Sequence, residues 1–343
     1  MAEVKERLRD IGSRLLVAGG ATRLGRRFGD RGGSFILYGH RVREDDEGFF
    51  PSLRPGWLRD QLAYLTCHYE VIGLDTLVAC IAERRPPPPR SVVLTFDDGF
   101  RDNVEEALPI LDAFGVKATI FVVTGSLTDG QLPWSQRLGC VFQHAAVASF
   151  RHELFGADEV ELPDVAARRR AYALARRALA VAPRVARDAA IGELERGLSV
   201  EPPRDRMMTW AHAREALAAG HGIGAHTYSH ALLAQVPAAE AQWEMERSRV
   251  DLEERLGLRH ASFCFPGGST TPALRALART LGFRSCFRPD PSRRLNRPDD
   301  VDAYSLVRMG LPNAPAVQLE AELDGPFHPL RRWTGRYARF EAR

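Results

Sequence analysis

Residues 91–100 read Ser91-Val92-Val93-Leu94-Thr95-Phe96-Asp97-Asp98-Gly99-Phe100, a β-type apolar run that ends in two adjacent carboxylates. Neighbouring acids repel each other and resist desolvation, so a fold keeps them for a cation, a proton transfer or a buried basic partner. An acidic turn closing a strand is the competing explanation, because Asp-Gly is itself a turn signal. Far downstream, Gly222-Ile223-Gly224-Ala225-His226-Thr227-Tyr228-Ser229-His230 sets two histidines four apart. If the chain enters a helical turn after His226, with Thr227 or Ser229 capping it, both imidazoles share one face. A catalytic zinc site uses three nitrogen or oxygen ligands and keeps one position open. His226, His230 and one of the two aspartates meet that requirement, although histidines at this spacing are also common surface or core residues.

Both segments are short apolar runs ending in polar groups, as strand ends of an α/β fold do. Around them strand and helix alternate. A first strand carries His40, Arg41 to Pro55 is polar and loop-like, and Trp57 to Cys67 reads as a helix with Leu58, Leu62 and Leu65 on one face. Tyr69 to Ile72 follows as a strand, then a short helix capped by Asp75 and a stiff Pro86–Pro89 connector. Asn103 opens a helix ended by Gly115, and Lys117 to Val123 is the next strand. The rhythm resumes through Gly222–His226, Ala238–Leu256, Ala261–Phe265, Pro272–Leu281 and Phe283–Phe287. Such order predicts a parallel sheet with helices outside, either a barrel or doubly wound.

Thr95-Phe96-Asp97-Asp98-Gly99 followed by His226-Thr227-x-x-His230 resembles the NodB-type polysaccharide deacetylases (carbohydrate esterase family 4-like), in particular their exopolysaccharide branch. Ala107 to Leu111, Lys117 to Val122 and Phe263-Cys264-Phe265-Pro266-Gly267-Gly268 are further similar stretches. The resemblance covers residues 35 to 310 and selects, for the fold, a distorted, incomplete (β/α) barrel. For function it implies a metal-dependent hydrolase that removes N-acetyl groups from an amino-sugar glycan. By position, Asp98, His226 and His230 become metal ligands, with zinc the expected ion and cobalt or nickel the alternatives. Asp97 becomes the general base acting on a metal-activated water.

The chain departs from the commoner family pattern in three places. The late histidine that many relatives use as general acid is missing from Tyr304-Ser305-Leu306-Val307-Arg308-Met309; His40, in the run Ser34 to Val42 that resembles the first strand of the exopolysaccharide branch, takes that role. The arginine that orients the base in relatives is absent from Ala261-Ser262-Phe263-Cys264, and Arg308 is its expected replacement. Pro266-Gly267-Gly268 stands where a larger residue is common, leaving the Gly267 N–H as the oxyanion donor. Trp134 is expected to stack on a sugar ring, against the plainer alternative of core packing.

The organisation predicted is an N-terminal amphipathic, basic segment (1–33), a catalytic domain (34–310) holding a helical insertion (140–205), and a C-terminal extension (311–343). The insertion carries helix-forming runs at Val165 to Ala182 and Arg184 to Leu198, split by Pro183, and reads as a lid, a recognition arm or a passive excursion. A net charge of +3, with only Lys5 and Lys117 as lysines among 47 basic residues, offers no basic patch interleaved with aromatics and argues against a nucleic-acid partner. Five dispersed cysteines predict reduced thiols. No signal-peptide core or membrane-spanning run is apparent, so the expected location is the cytoplasm; residues 1–31 read either as docked on the protein's own core or a partner or as a peripheral membrane contact, with Glu3, Glu6 and Asp10 weighing against the membrane. That location places a nucleotide-linked or lipid-linked sugar, or a growing oligosaccharide, beside mature glycan as expected substrate. Two other readings stay open: a deformylase or other non-peptide amide hydrolase on a small or lipid-linked sugar, and a non-catalytic carbohydrate-binding protein on the same scaffold.

Overall fold

The structure, a computed structural model, describes residues 2–29, 32–45, 49–289 and 295–325. Seven parallel strands form its centre: β1 (Phe35–Gly39), β2 (Ser91–Asp98), β3 (Ala118–Val122), β4 (Gly222–Ala225), β5 (Phe263–Cys264), β6 (Cys286–Pro289) and β7 (Leu306–Gly310). Each of β2 to β7 pairs with its neighbour in chain order or closes the ring: β1 pairs with β2 from Phe35↔Val92 to Gly39↔Phe96 and with β7 at Leu37↔Met309. The result is a distorted (β/α) barrel, closed as a circuit and one strand short of eight.

All eight residues of β2 are buried, as a strand covered on both faces requires. Ile36, Val93, Phe121, Cys264, Phe287 and Leu306 meet in one cluster with Leu74, Leu77, Val78 and Ile81 of the helix Leu74–Ala82. These side chains come from alternate positions of six strands, so they fill the barrel lumen, and that helix plugs it. Leu37, Leu94, Phe96, Ile120, Val122 and Ile223 face the outer helices instead. Strand alternation therefore sends Val93, Thr95 and Asp97 inward. Gly224 must be glycine, since a Cβ there would lie 2.5 Å from the Phe121 ring.

The insertion is helical and has its own core. Helices α3 (Trp134–Gln143), α4 (Val165–Leu179) and α5 (Arg184–Leu198) enclose Leu138, Phe142, Leu179, Ile191 and Leu194, so this core reaches back to Trp134, ahead of the expected 140–205, and a small antiparallel hairpin pairs Ser149–Phe150 with Val160–Glu161. After β4, helix α6 (Ala238–Leu256) ends on Gly257 in the left-handed conformation. After β7, helix α7 (Ala316–Asp324) runs back along the barrel.

Several boundaries differ from expectation. The sixth strand begins at Cys286 rather than Phe283, because Gly282 (φ 84°) makes a turn and Phe283 packs from the connecting segment. Gly73, not Asp75, occupies the cap position of its helix; Asp75 lies in the first turn. No helix among the described residues is long and apolar enough to cross a membrane.

Candidate active site

The expected residues, Trp134 apart, gather at the C-terminal ends of the strands, where parallel barrels carry their chemistry. Asp97 points into the lumen and meets Arg308 of β7, whose Nη1 and Nη2 donate to its two carboxylate oxygens at 2.8 and 2.6 Å. The same guanidinium reaches Thr95 Oγ1 (3.1 Å) and Cys264 Sγ (2.7 Å) and lies against the rings of Tyr38 and Phe121. Burial opposes ionisation of Asp97, but Arg308 and then His226 outweigh it and hold the carboxyl below its usual range. Burial also pushes the Cys264 thiol well up, so it stays protonated.

Alternation alone would turn Asp98 outward. Its φ of 73°, followed by 76° at Gly99, breaks the strand and swings the second carboxylate to the same end of the barrel. There Asp98 Oδ1 lies 3.6 Å from His226 Nε2 and 3.3 Å from His230 Nε2, and the ligand atoms of the three residues are all within 4.8 Å of one another. His226 Nδ1 is 2.8 Å from the Cys264 carbonyl, which fixes that nitrogen as the protonated one and turns the Nε2 lone pair toward Asp98. Burial pushes His226 down to about 4, leaving it neutral near pH 7. Asp98 is held below its usual range: burial opposes this, and the His230 imidazole beside it outweighs burial. Among the described residues, Asp98 Oδ1 and His230 Nδ1 are buried without a hydrogen bond. An orphaned carboxylate oxygen facing two imidazole nitrogens is the donor set of a divalent cation. A second cluster, Asp97 with His226 and Cys264, is also tight, but Arg308 already occupies its carboxylate and thiol.

The histidines do not share a helix, contrary to the spacing argument. Residues 226–230 form a loop in which Thr227 (φ 64°) and His230 (φ 62°) adopt left-handed backbone, costly for a β-branched threonine. Buried Glu244 of α6 holds the loop, accepting the N–H groups of Tyr228 (2.9 Å) and Ser229 (2.8 Å) and the Ser229 hydroxyl. Arg187 of the insertion, fully buried, donates to Ser229 Oγ at 2.7 Å and lies over the Trp134 ring. Trp134 in turn donates its indole N–H to the His230 carbonyl at 2.9 Å.

That geometry overturns the sugar-stacking reading of Trp134. The side chain is 4 % exposed and packed in the insertion core, so no sugar reaches its face; it braces the loop that carries His230. Gly267 (φ 56°) sits in a turn whose own bonds run from Gly268 N–H to Phe265 O and from Ser269 N–H to Pro266 O. A Cβ at Gly267 would come 3.1 Å from Leu232, so both backbone and space favour glycine. His40 is exposed just after β1, edge-on to Tyr38, with its carbonyl held by Asn103 Nδ2 at 2.6 Å. Sequence reasoning gave no role to Thr95, Cys264, Glu244 or Arg187, and took Ser229 for a helix cap where it instead bonds to Glu244. Alternation along β2 already pairs Thr95 with Asp97, whereas nothing in the sequence links Arg187 to residues 226–230.

A sequence profile described as polysaccharide deacetylase matches residues 84–286. YxkH of Bacillus subtilis (strain 168), which carries the polysaccharide deacetylase name, is 32% identical over 92 residues, 27% of this chain and only 30% of its own length. Among solved structures, the Streptococcus pyogenes deacetylase PplD in complex with acetate superposes with a TM-score of 0.58 at 16% identity, covering 86% of this chain and 99% of that one. IcaB from Ammonifex degensii gives 0.56 at 20% identity over 85% and 97%, and the BpsB deacetylase domain from Bordetella bronchiseptica 0.51 at 19% over 82% and 97%. These structural likenesses establish a shared barrel.

Proposed function

Because the chain belongs to the polysaccharide deacetylase family, we propose that it is a metal-dependent hydrolase removing N-acetyl groups from an amino-sugar glycan of the exopolysaccharide class. The observation that carries this reading is the split between two adjacent carboxylates, Asp97 clamped by Arg308 and Asp98 left open toward two imidazoles. Asp98, His226 and His230 would hold the ion, with zinc favoured by two nitrogens and one oxygen and cobalt or nickel able to replace it. A divalent ion bound there supplies Lewis-acid polarisation of the acetamide carbonyl and lowers the pKa of a water.

The protein's own groups divide the remaining work. Asp97, kept ionised and fixed in direction by the guanidinium fork, takes a proton from the attacking water through a lone pair that the fork leaves free. The Gly267 N–H faces the developing oxyanion. His40, on the solvent rim, gives a proton to the departing nitrogen. A C–O bond forms, the C–N bond breaks, and the products are acetate and the free amino sugar.

The test combines metal content and product. Elemental mass spectrometry of protein purified without chelator is expected to find about one first-row divalent ion per chain in the wild type and far less in His226→Ala. The wild type should release acetate from an N-acetylglucosamine oligomer. Release of formate from a formamido sugar, with no acetate from the oligomer, would move the assignment to a deformylase. A wild type that takes up no zinc, cobalt or nickel would leave glycan binding without hydrolysis.

A further inference from the structure

The N-terminal helices dock inside out. Helices α1 (Ala2–Ala18) and α2 (Ala21–Phe28) pack on α7 through polar and small residues. Ser13 and Thr22 are buried, Arg9 pairs with Glu322 at 2.7 Å, and Arg26 and Thr22 both reach Glu320 at 2.7 Å. Gly25 lies so close to the Asp324 carbonyl that a Cβ there would be 1.8 Å away. The apolar side chains are on the opposite faces: Leu8, Ile11 and Leu15 on α1 and Leu24 and Phe28 on α2 are 54–75 % exposed. Burying this stripe is favourable, so an arrangement that turns it outward leaves it for something else to cover.

Charge indicates what covers it. Residues 1–31 hold eight basic and four acidic residues; with Arg9 and Arg26 paired to Glu322 and Glu320, six basic residues still outnumber the four acidic ones. Exposed Arg14, Arg23 and Arg27 border the stripe, and the Arg27 guanidinium lies over the Phe28 ring. An apolar stripe edged by arginines suits the boundary between acyl chains and anionic headgroups.

We propose that the α1–α2 hairpin seats the protein on an anionic lipid surface. Its anchors on the body, Glu320, Glu322 and Asp324, lie at the base of the barrel, where Asp324 meets Arg90 immediately before β2. Asp97 and Asp98 end that strand, roughly 25 Å away at 3.3 Å per residue. The candidate site therefore opens at the end of the barrel away from the lipid. Taken together with the proposed deacetylase activity, this orientation selects a glycan extending into solvent over a sugar held at headgroup level.

Flotation of the full-length protein with phosphatidylcholine vesicles, with and without phosphatidylglycerol, tests the proposal. Binding should require phosphatidylglycerol and weaken with salt. The double variant Leu15→Asp/Phe28→Asp should lose it at least tenfold, and Arg23→Glu/Arg27→Glu on the order of tenfold. Metal content and turnover of a soluble oligomer should stay unchanged in both variants, so loss of lipid binding is separable from failure of the deacetylase assignment. The proposal is overturned if the full-length protein ignores anionic vesicles or if the variants bind as the wild type does. It is equally overturned if light scattering shows a dimer that Leu15→Asp/Phe28→Asp dissolves, which would make a second copy the occupant. Vesicle binding only by a chain ending at Gly325 would assign the stripe to residues 326–343 and overturn it as well.

Discussion

Strand β2 carries a buried ionic cluster at each end, and the two are built on opposite rules. At its start, Asp324 accepts the hydroxyls of Tyr69 (2.9 Å) and Tyr64 and the Arg90 guanidinium (3.0 Å), with Arg26 at 3.5 Å. Arg90 also stacks on Tyr69 and donates to the His68 carbonyl. Burial and the Asp324 charge push both phenols up, so each remains a donor. At the end of the strand, among the described residues, Asp98 Oδ1 and His230 Nδ1 are buried without a well-formed hydrogen bond. Perturbed titration marks both clusters and distinguishes neither. Satisfaction distinguishes them: the first network closes on itself and ties the base of the barrel together, while the second keeps lone pairs open at a cost that only a ligand offsets.

The largest effects should fall on opposite properties at the two ends. Asp98→Asn is expected to weaken zinc binding more than about 100-fold and to reduce turnover to background, while metal-free stability changes little because an orphaned charge is removed. Asp324→Asn should cost about 3–5 kcal/mol in urea unfolding and leave zinc affinity unchanged. Chelator competition and urea titration on both variants measure this crossing. If both variants lost metal and stability together, the two ends would form one cooperative unit and the contrast would fall.

Next in size is Arg308→Met, which should lower kcat about 100-fold while one metal ion per chain is retained. Arg308→Lys should recover little of it, since an ammonium cannot form the two-pronged bond to Asp97. Loss of the ion in Arg308→Met would mean that the Asp97 half of the site is not separate from the Asp98 half.

Much of this was legible in the sequence, for a physical reason. The apolar run of β2 can only be a buried strand, and strands ending in Asp97-Asp98 and His226 can only be brought together at one end of a parallel sheet. Helix α6 matches its expected span, Ala238–Leu256, because its apolar spacing and terminal glycine are local signals. What was not legible depends on contacts distant in sequence. A spacing of four fits a helix, yet residues 226–230 are held as a strained loop by Glu244, and nothing local reveals that partner. Trp134 looks like any surface-capable aromatic until the insertion core closes around it. The α1 periodicity marked an apolar stripe but not its direction, which follows from contacts distant in sequence such as the Arg9 pair to Glu322.

The loop braces predict a smaller effect. Arg187→Met removes the donor to Ser229 Oγ from the insertion side and should weaken zinc binding about tenfold, with kcat recovered at saturating metal. Arg187→Lys should restore part of the affinity. A change in melting temperature with unaltered zinc affinity would confine Arg187 to packing.

The last expected effect, on the pH dependence of stability, concerns Asp102, a half-buried acid that belongs to neither cluster. It accepts the Val42 N–H at 3.2 Å and faces Arg41 at 3.5 Å. Burial pushes its carboxyl up to about 6, and Arg41 only partly offsets that. In the unfolded chain the same group titrates near 3.9. Between those values the folded protein keeps a proton that the unfolded chain has released, so stability falls as pH rises from about 4 to about 6. Two units correspond to at most about 3 kcal/mol. Asp102→Asn cannot titrate and should remove this slope, so that urea midpoints of variant and wild type diverge in the variant's favour as pH rises through the window. Parallel curves would show that Arg41 holds Asp102 ionised throughout, making it a closed pair of the kind seen at Asp324.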